Sequence, residues 1–205
     1  MNNKHLEENE EKEKEIPGIP PTPVEEKQLF DSRTILISAP VDARLAHVVN
    51  SKLLAMEKAD SKSPIYLFLN SPGGEVHSGF SIFDTARFIS PEVVTIVSGL
   101  AASMGSIIAL TAPKNRRFAF PNSRFLVHQP SVQGGLGGTV SDIEIHAKDL
   151  IETKNHIINL YAKETGKTPE DIKKILDRDY WMSASQALEF GLISKIIASR
   201  ADLKI

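Results

Sequence analysis

Two kinds of apolar spacing alternate along the chain. Short runs that are apolar at nearly every position read as strands: RTILISA (33–39), PIYLFLN (64–70) and VVTIVS (93–98). PIYLFLN is apolar on both faces, which places it inside a sheet. Between these runs the spacing turns helical. Asp42 is positioned to cap a helix that carries Leu45, Val48, Val49, Leu53 and Leu54 on one face. Residues 59–63 and 71–74 are turns, and 78–89 is a helix bearing Phe80, Ile82, Phe83 and Phe88. The small-residue stretch GLAASMGS (99–106) separates VVTIVS from a further helix over 103–111. Residues 117–120 and 124–128 form two short strands around a PNS turn.

A glycine loop, QGGLGGT (133–139), precedes the longest helical pattern. Ser141 and Glu144 form a capping box there, and Gly166 is the stop. Ile143, Leu150, Ile151, Ile157, Ile158 and Tyr161 interleave with Lys148, Glu152, Lys154 and Lys163. A helix of about 25 residues spans roughly 37 Å. That is long for one domain, so it is expected to project or lie along an edge, with its surplus apolar residues at a contact between subunits. Thr168 and Pro169 start a short helix that ends near Leu176. Ser183 and Gln186 start another, ended by Gly191, and LISKII (192–197) is a last strand. Strands alternating with helices predict an α/β domain with a largely parallel sheet.

Composition narrows the function classes. A chain of 205 residues with 41% hydrophobic and 24% charged content makes one globular domain. A net charge of −2, with no clustering of Lys and Arg among aromatics, argues against nucleic-acid binding. Cysteine is absent, so disulfides and thiolate metal sites are excluded. Residues 1–16 hold six Glu and three Lys with no apolar core of a signal peptide. No run approaches the length of a membrane span, so the expected location is cytoplasmic. Four prolines fall between Pro17 and Pro23. Residues 1–27 are therefore expected to be a disordered or extended tail, and residues 28–205 the folded domain.

Candidate chemistry gathers at GLAASMGS. A serine where a strand turns into a helix faces free N–H groups and the helix dipole, which favour developing negative charge. Ser103 is the candidate nucleophile. Ser106, one turn further in, is the competing candidate, and a plain small-residue helix start explains the stretch without any chemistry. Among the histidines, His47, His146 and His156 fall within helices, His5 lies in the tail and His77 adjoins the SPGG turn. His128 ends a strand beside the glycine loop, where a base is well placed, although the residue by itself reads first as a structural histidine. The loop's glycines do not make a phosphate site, because no strand leads into G-x-G-x-x-G or GK[ST].

FLNSPGGEV, SGFSIFDT, GLAASMGS, RFAFPNSRFLVHQP and DRDYWMSASQALEFGLI stand in order between residues 65 and 197. Together they resemble the proteolytic subunit of the Clp protease family. The resemblance implies an α/β fold of repeated ββα units, shared with crotonase-like enzymes, and a protruding handle helix over about 139–166. It implies Ser103 as nucleophile, His128 as general base and then acid, and Asp179 as the residue that orients the imidazole, with Asp177 the alternative. It implies an oxyanion hole of backbone N–H groups, chiefly those of Gly74 and Met104. Gln133, Gly134 and Gly135 would bind extended substrate, Tyr66 and Phe68 would line an apolar pocket for an ATPase's loops, and Asp177 and Arg178 would lie at ring–ring contacts. Peptide hydrolysis would need no metal or cofactor, ATP being used only by a partner unfoldase of AAA+ type (ClpX, ClpA or ClpC class). Two stacked heptameric rings, or a mixed ring with a paralogous subunit, would act on unfolded polypeptides. The axial N-terminal segment of typical members has no match here. A catalytically silent or partner-dependent structural subunit of a mixed ring is the second reading, and a crotonase-like acyl-CoA enzyme a distant third.

Overall fold

The computed structural model describes residues 22–132 and 137–203. Within them, β1 (Thr34–Ile37), β2 (Ile65–Ser71), β3 (Val93–Ala102) and β4 (Arg117–Ala119) lie side by side in parallel. The short β7 (Lys195–Ile196) joins β4 in parallel at the far edge. β3 is long enough to serve two neighbours: Thr95–Val97 pair with β4, and Leu100–Ala102 pair with β5 (Arg124–Val127). β6 (Tyr180–Ser183) then pairs antiparallel with β5. The expected parallel α/β sheet is present. β6 is an element the apolar pattern did not announce, because only Met182 of its four side chains is buried.

One face of β2 (Ile65, Leu67, Leu69, Ser71) is fully buried; α4 (Met104–Ala109) packs on β2, α2 (Ala43–Ala59) packs on β1 and on α3 (Val76–Phe88), and α3 packs on α4. α2 is capped by Asp42, whose carboxylate accepts from the Leu45 N–H at 2.7 Å. Its buried stripe is Ala46, Val49, Leu53 and Met56. Val48 and Leu54 are exposed, contrary to the expected face, because the i, i+3, i+7, i+10 positions define the side that meets the sheet. Phe88 likewise faces outward at the end of α3.

α1 (Pro23–Asp31) begins inside the stretch expected to be extended. Thr22 and Glu25 close a capping box and Pro23 takes the first helical turn, where a missing N–H costs nothing. Residues 1–21 lie outside the described residues. The longest helix, α5 (Val140–Thr165), starts two residues earlier than its expected box: Thr139 and Asp142 cap each other's backbone instead of Ser141 and Glu144. Gly166 ends it at φ 80°, the left-handed stop expected there. From Val140 to His156 no side chain is buried, whereas Ile157, Ile158, Tyr161, Ala162 and Glu164 are. α5 therefore stands on its C-terminal half and exposes Val140, Ile143, Ile145 and Ile151 along the rest. α6 (Pro169–Ile175) and α7 (Ala184–Phe190) follow their expected caps, Thr168 and Ser183. Among the described residues no helix is long and apolar enough to cross a membrane.

A buried ion cluster anchors this base. Arg117 is 2% exposed and its guanidinium grips the Glu164 carboxylate, whose other oxygen accepts from Arg87 at 2.8 Å. The same two arginines also collect the carbonyls of Leu110, Thr111 and Ala112 just past α4. Burial alone would push the Glu164 carboxyl up, but hydrogen bonds and charge from Arg117 and Arg87 hold it below its ordinary value.

Candidate active site

The two partner strands of β5 decide what meets at the sheet's end. Ala102 is in register with Leu126, and the Ser103 N–H donates to the Leu126 carbonyl at 2.9 Å. Ser103 and His128 thus leave the C-terminal ends of adjacent parallel strands. Val127 faces Tyr180 across the antiparallel ladder, so the next step of the register brings His128 to Asp179. His128 Nδ1 and Asp179 Oδ1 are 3.2 Å apart. Asp177 is excluded as that partner: its carboxylate lies 3.7 Å from Arg178, and its carbonyl accepts from Gln129 and Arg178. His128, Gln129, Leu176 and Asp177–Asp179 line an open cleft.

Ser103 is the N-cap of α4 and adopts φ 52°, ψ −123°, a region that non-glycine residues avoid. Its side chain caps nothing and makes no hydrogen bond among the described residues, His128 included. Ser106 is ruled out as the nucleophile, because it is fully buried and hydrogen-bonded to Tyr161 and to the Ser103 carbonyl.

The SPGG turn packs on the other side of Ser103. Ser71 Oγ donates to the Ala39 carbonyl at 2.7 Å and accepts from the Gly73 N–H, which fixes the turn on the sheet. Gly73 has φ 90°, and a Cβ there would lie 2.6 Å from the Ala102 oxygen and 2.7 Å from Ser103 Cβ. Gly74 has φ 148° and presses on the Val41 backbone, where a Cβ would be 2.2 Å from the carbonyl oxygen. The N–H groups of Gly74 and Met104 find no acceptor among the described residues. Gly73→Ala is expected to displace the Ser103 turn and slow fluorophosphonate labelling on the order of 10²-fold, since misplacement by about 1 Å costs that much. Unaltered labelling in a folded Gly73→Ala protein would show that the turn does not set the serine.

The remaining candidates lie elsewhere. Tyr66 and Phe68 occupy the opposite face of β2, half-buried against Val94, Ile96, Phe118 and Ile197, with Phe68 edge-on to Phe120. They border a small recess closed by Arg200 and Leu203. Arg178 is exposed beside Asp177. Gln133, Gly134 and Gly135 lie outside the described residues. His77, His47, His146 and His156 are not brought to Ser103, and His156 packs against the Phe80 ring at 4.9 Å. Sequence reasoning missed Gln129 and Lys154. The Gln129 amide donates to the Asp177 carbonyl at 3.0 Å and accepts from Lys154 Nζ at 2.7 Å, tying the strand end after His128 to the Asp177–Asp179 loop and to α5. The adjacency of Gln129 to His128 was the only signal for it.

A family model described as Clp protease matches residues 24–200 of this chain. The chain is 45% identical over 178 residues to ATP-dependent Clp protease proteolytic subunit 1 of Chlamydia muridarum, covering 87% of this chain and 93% of that protein. It is 46% identical over 179 residues to the protein of the same description from Protochlamydia amoebophila, covering 87% of each chain. For that of Chlamydia trachomatis serovar D the figure is 44% over 178 residues, covering 87% and 93%.

Proposed function

Because the chain belongs to the Clp protease family and is a serine endopeptidase of the Clp type, we propose that Ser103, His128 and Asp179 carry its peptide-bond hydrolysis. The observation that supports this most is the register of β5 and β6, which delivers Asp179 to His128 at 3.2 Å beside the strained Ser103 turn.

In this reading Ser103 Oγ attacks the scissile carbonyl while His128 Nε2 takes its proton. The proton on Nδ1 stays in the hydrogen bond to Asp179, which fixes the tautomer and stabilises the imidazolium. The carbonyl oxygen becomes an oxyanion and accepts from the N–H groups of Gly74 and Met104. Collapse breaks the C–N bond, and His128 returns the proton to the leaving amine. Water, deprotonated by the same imidazole, then attacks the acyl-serine, and Ser103 leaves with the proton restored. None of these steps calls on a metal or cofactor; ATP belongs to an AAA+ partner of ClpX, ClpA or ClpC type that delivers unfolded polypeptide. The relatives' description as subunit 1 of an ATP-dependent protease fits that partnership. It also fits a ring shared with a paralogous subunit. Tyr66 and Phe68 are the proposed docking recess, Asp177 and Arg178 the proposed ring–ring contacts, and Gln133, Gly134 and Gly135 the proposed substrate strand. Exposed Val140, Ile143, Ile145 and Ile151 support stacking of rings through α5.

A second reading, activity only within a mixed ring, is favoured by one observation: His128 is bonded to Asp179 while Ser103 is not bonded to His128. Particle mass together with labelling by a fluorophosphonate, on wild type and Ser103→Ala, separates the readings. Large particles labelled only when Ser103 is present support the first. Labelling that appears only after a paralogous subunit is added supports the second. Labelling that survives Ser103→Ala overturns the assignment of the nucleophile.

A further inference from the structure

Peptide planarity links two ends of the Ser103–Met104 unit: its carbonyl oxygen points to one side and the Met104 N–H to the other. The oxygen is held by three donors. The Ser106 N–H reaches it at 3.0 Å, the Ile107 N–H at 3.4 Å and Ser106 Oγ at 2.6 Å. Ser106 Oγ is also 2.6 Å from Tyr161 Oη. A carbonyl can only accept, so the single Ser106 hydroxyl proton goes to Ser103 and the Tyr161 hydroxyl donates to Ser106. Both side chains are buried, and neither takes part in the steps given above. We propose that Tyr161 and Ser106 are positioning residues: their hydrogen-bond chain, from α5 to the Ser103 carbonyl, orients and polarises the peptide whose N–H is the Met104 oxyanion donor. The proposal rests on the assignment of Ser103 and Met104 made above.

Three features support it. The carbonyl belongs to a residue at φ 52°, a conformation that has to be held by its surroundings. Burial pushes the Tyr161 phenol up, so it remains a donor throughout the range in which the enzyme can work. Hydrogen bonds in series polarise one another, so donors on the oxygen strengthen the N–H at the opposite end of the same amide.

The test uses the full chain in its assembled form. Tyr161→Phe removes one oxygen and no carbon, and leaves the Ser106–Ser103 bond in place. Its kcat on a short fluorogenic peptide is expected to fall about tenfold, less than the 10²–10³ of losing an oxyanion donor outright. Affinity for a peptide boronate, whose adduct on serine is tetrahedral, falls by the same factor, while KM is unchanged. Ser106→Ala falls further, and the double variant is no worse than Ser106→Ala alone, because the two act in series. Should Ser106→Ala fail to assemble, Tyr161→Phe decides. Unchanged kcat and boronate affinity in Tyr161→Phe overturn the proposal. So does a rise in KM with kcat retained, or a loss reproduced by an equally destabilising core variant such as Leu53→Val. Labelling that survives Ser103→Ala overturns the underlying assignment; labelling confined to Ser103, with an unaffected Tyr161→Phe, overturns this inference alone.

Discussion

Asp179→Asn is expected to lower kcat by about 10⁴-fold while leaving the fold intact, the loss that follows when the orienting carboxylate of a Ser-His-Asp triad becomes an amide. The amide can donate to Nδ1, which leaves the imidazole proton on the nitrogen that should face Ser103. The contact at stake is the 3.2 Å approach of Asp179 Oδ1 to His128 Nδ1. Asp179 is 64% exposed, so little packing is lost with it. Asp177→Asn is the paired control, because that carboxylate reaches Arg178 and not His128. Single-turnover acylation by an activated ester, measured on assembled particles of both variants, separates the two aspartates. Equal losses in both would mean that the loop as a whole, rather than one carboxylate, sets the base.

Glu164→Gln carries the largest expected cost to stability, about 3–5 kcal/mol, because it leaves the buried Arg117 charge without its counterion. The variant keeps the side chain's volume, so packing is not the cause. Chemical denaturation reads the loss as a lower midpoint with an unchanged slope. Its pH dependence has a fixed sign. Glu164 is held below its ordinary value of 4.5, so its contribution is complete above that value. It begins to fall once the pH drops below 4.5 and is gone beneath the depressed native value. The gap between wild type and Glu164→Gln therefore narrows on acidification. A gap that widens, or is absent at neutral pH, would show that the cluster is not a net source of stability.

The strands, most caps and the turn at Ser103 were legible because local chemistry decides them. PIYLFLN is apolar over its length, and Asp42, Thr168 and Ser183 cap helices by their own side chains. What stayed hidden depends on pairing at a distance. Asp177 and Asp179 are indistinguishable along the chain; the ladder between β5 and β6 tells them apart, and β6 is too short and too exposed to announce itself. Ser141 and Glu144 read as the capping box along the chain, yet Thr139 and Asp142 close one two residues earlier. Val48 and Leu54 look like core by composition, yet the buried stripe of α2 runs through Ala46 and Met56. Tyr161 reads as one more apolar residue of a long helix until its hydroxyl is seen to end at Ser106.

The antiparallel ladder also means that distance along the chain is not the ruler of this site. Between His128 and Asp179 the chain makes an excursion through its glycine-rich sequence and the whole of α5 and α6, then returns to the same pair of strands. The pairing of His128 with Asp179 asks of that excursion only that it return in register, whatever the number of residues spent on the way.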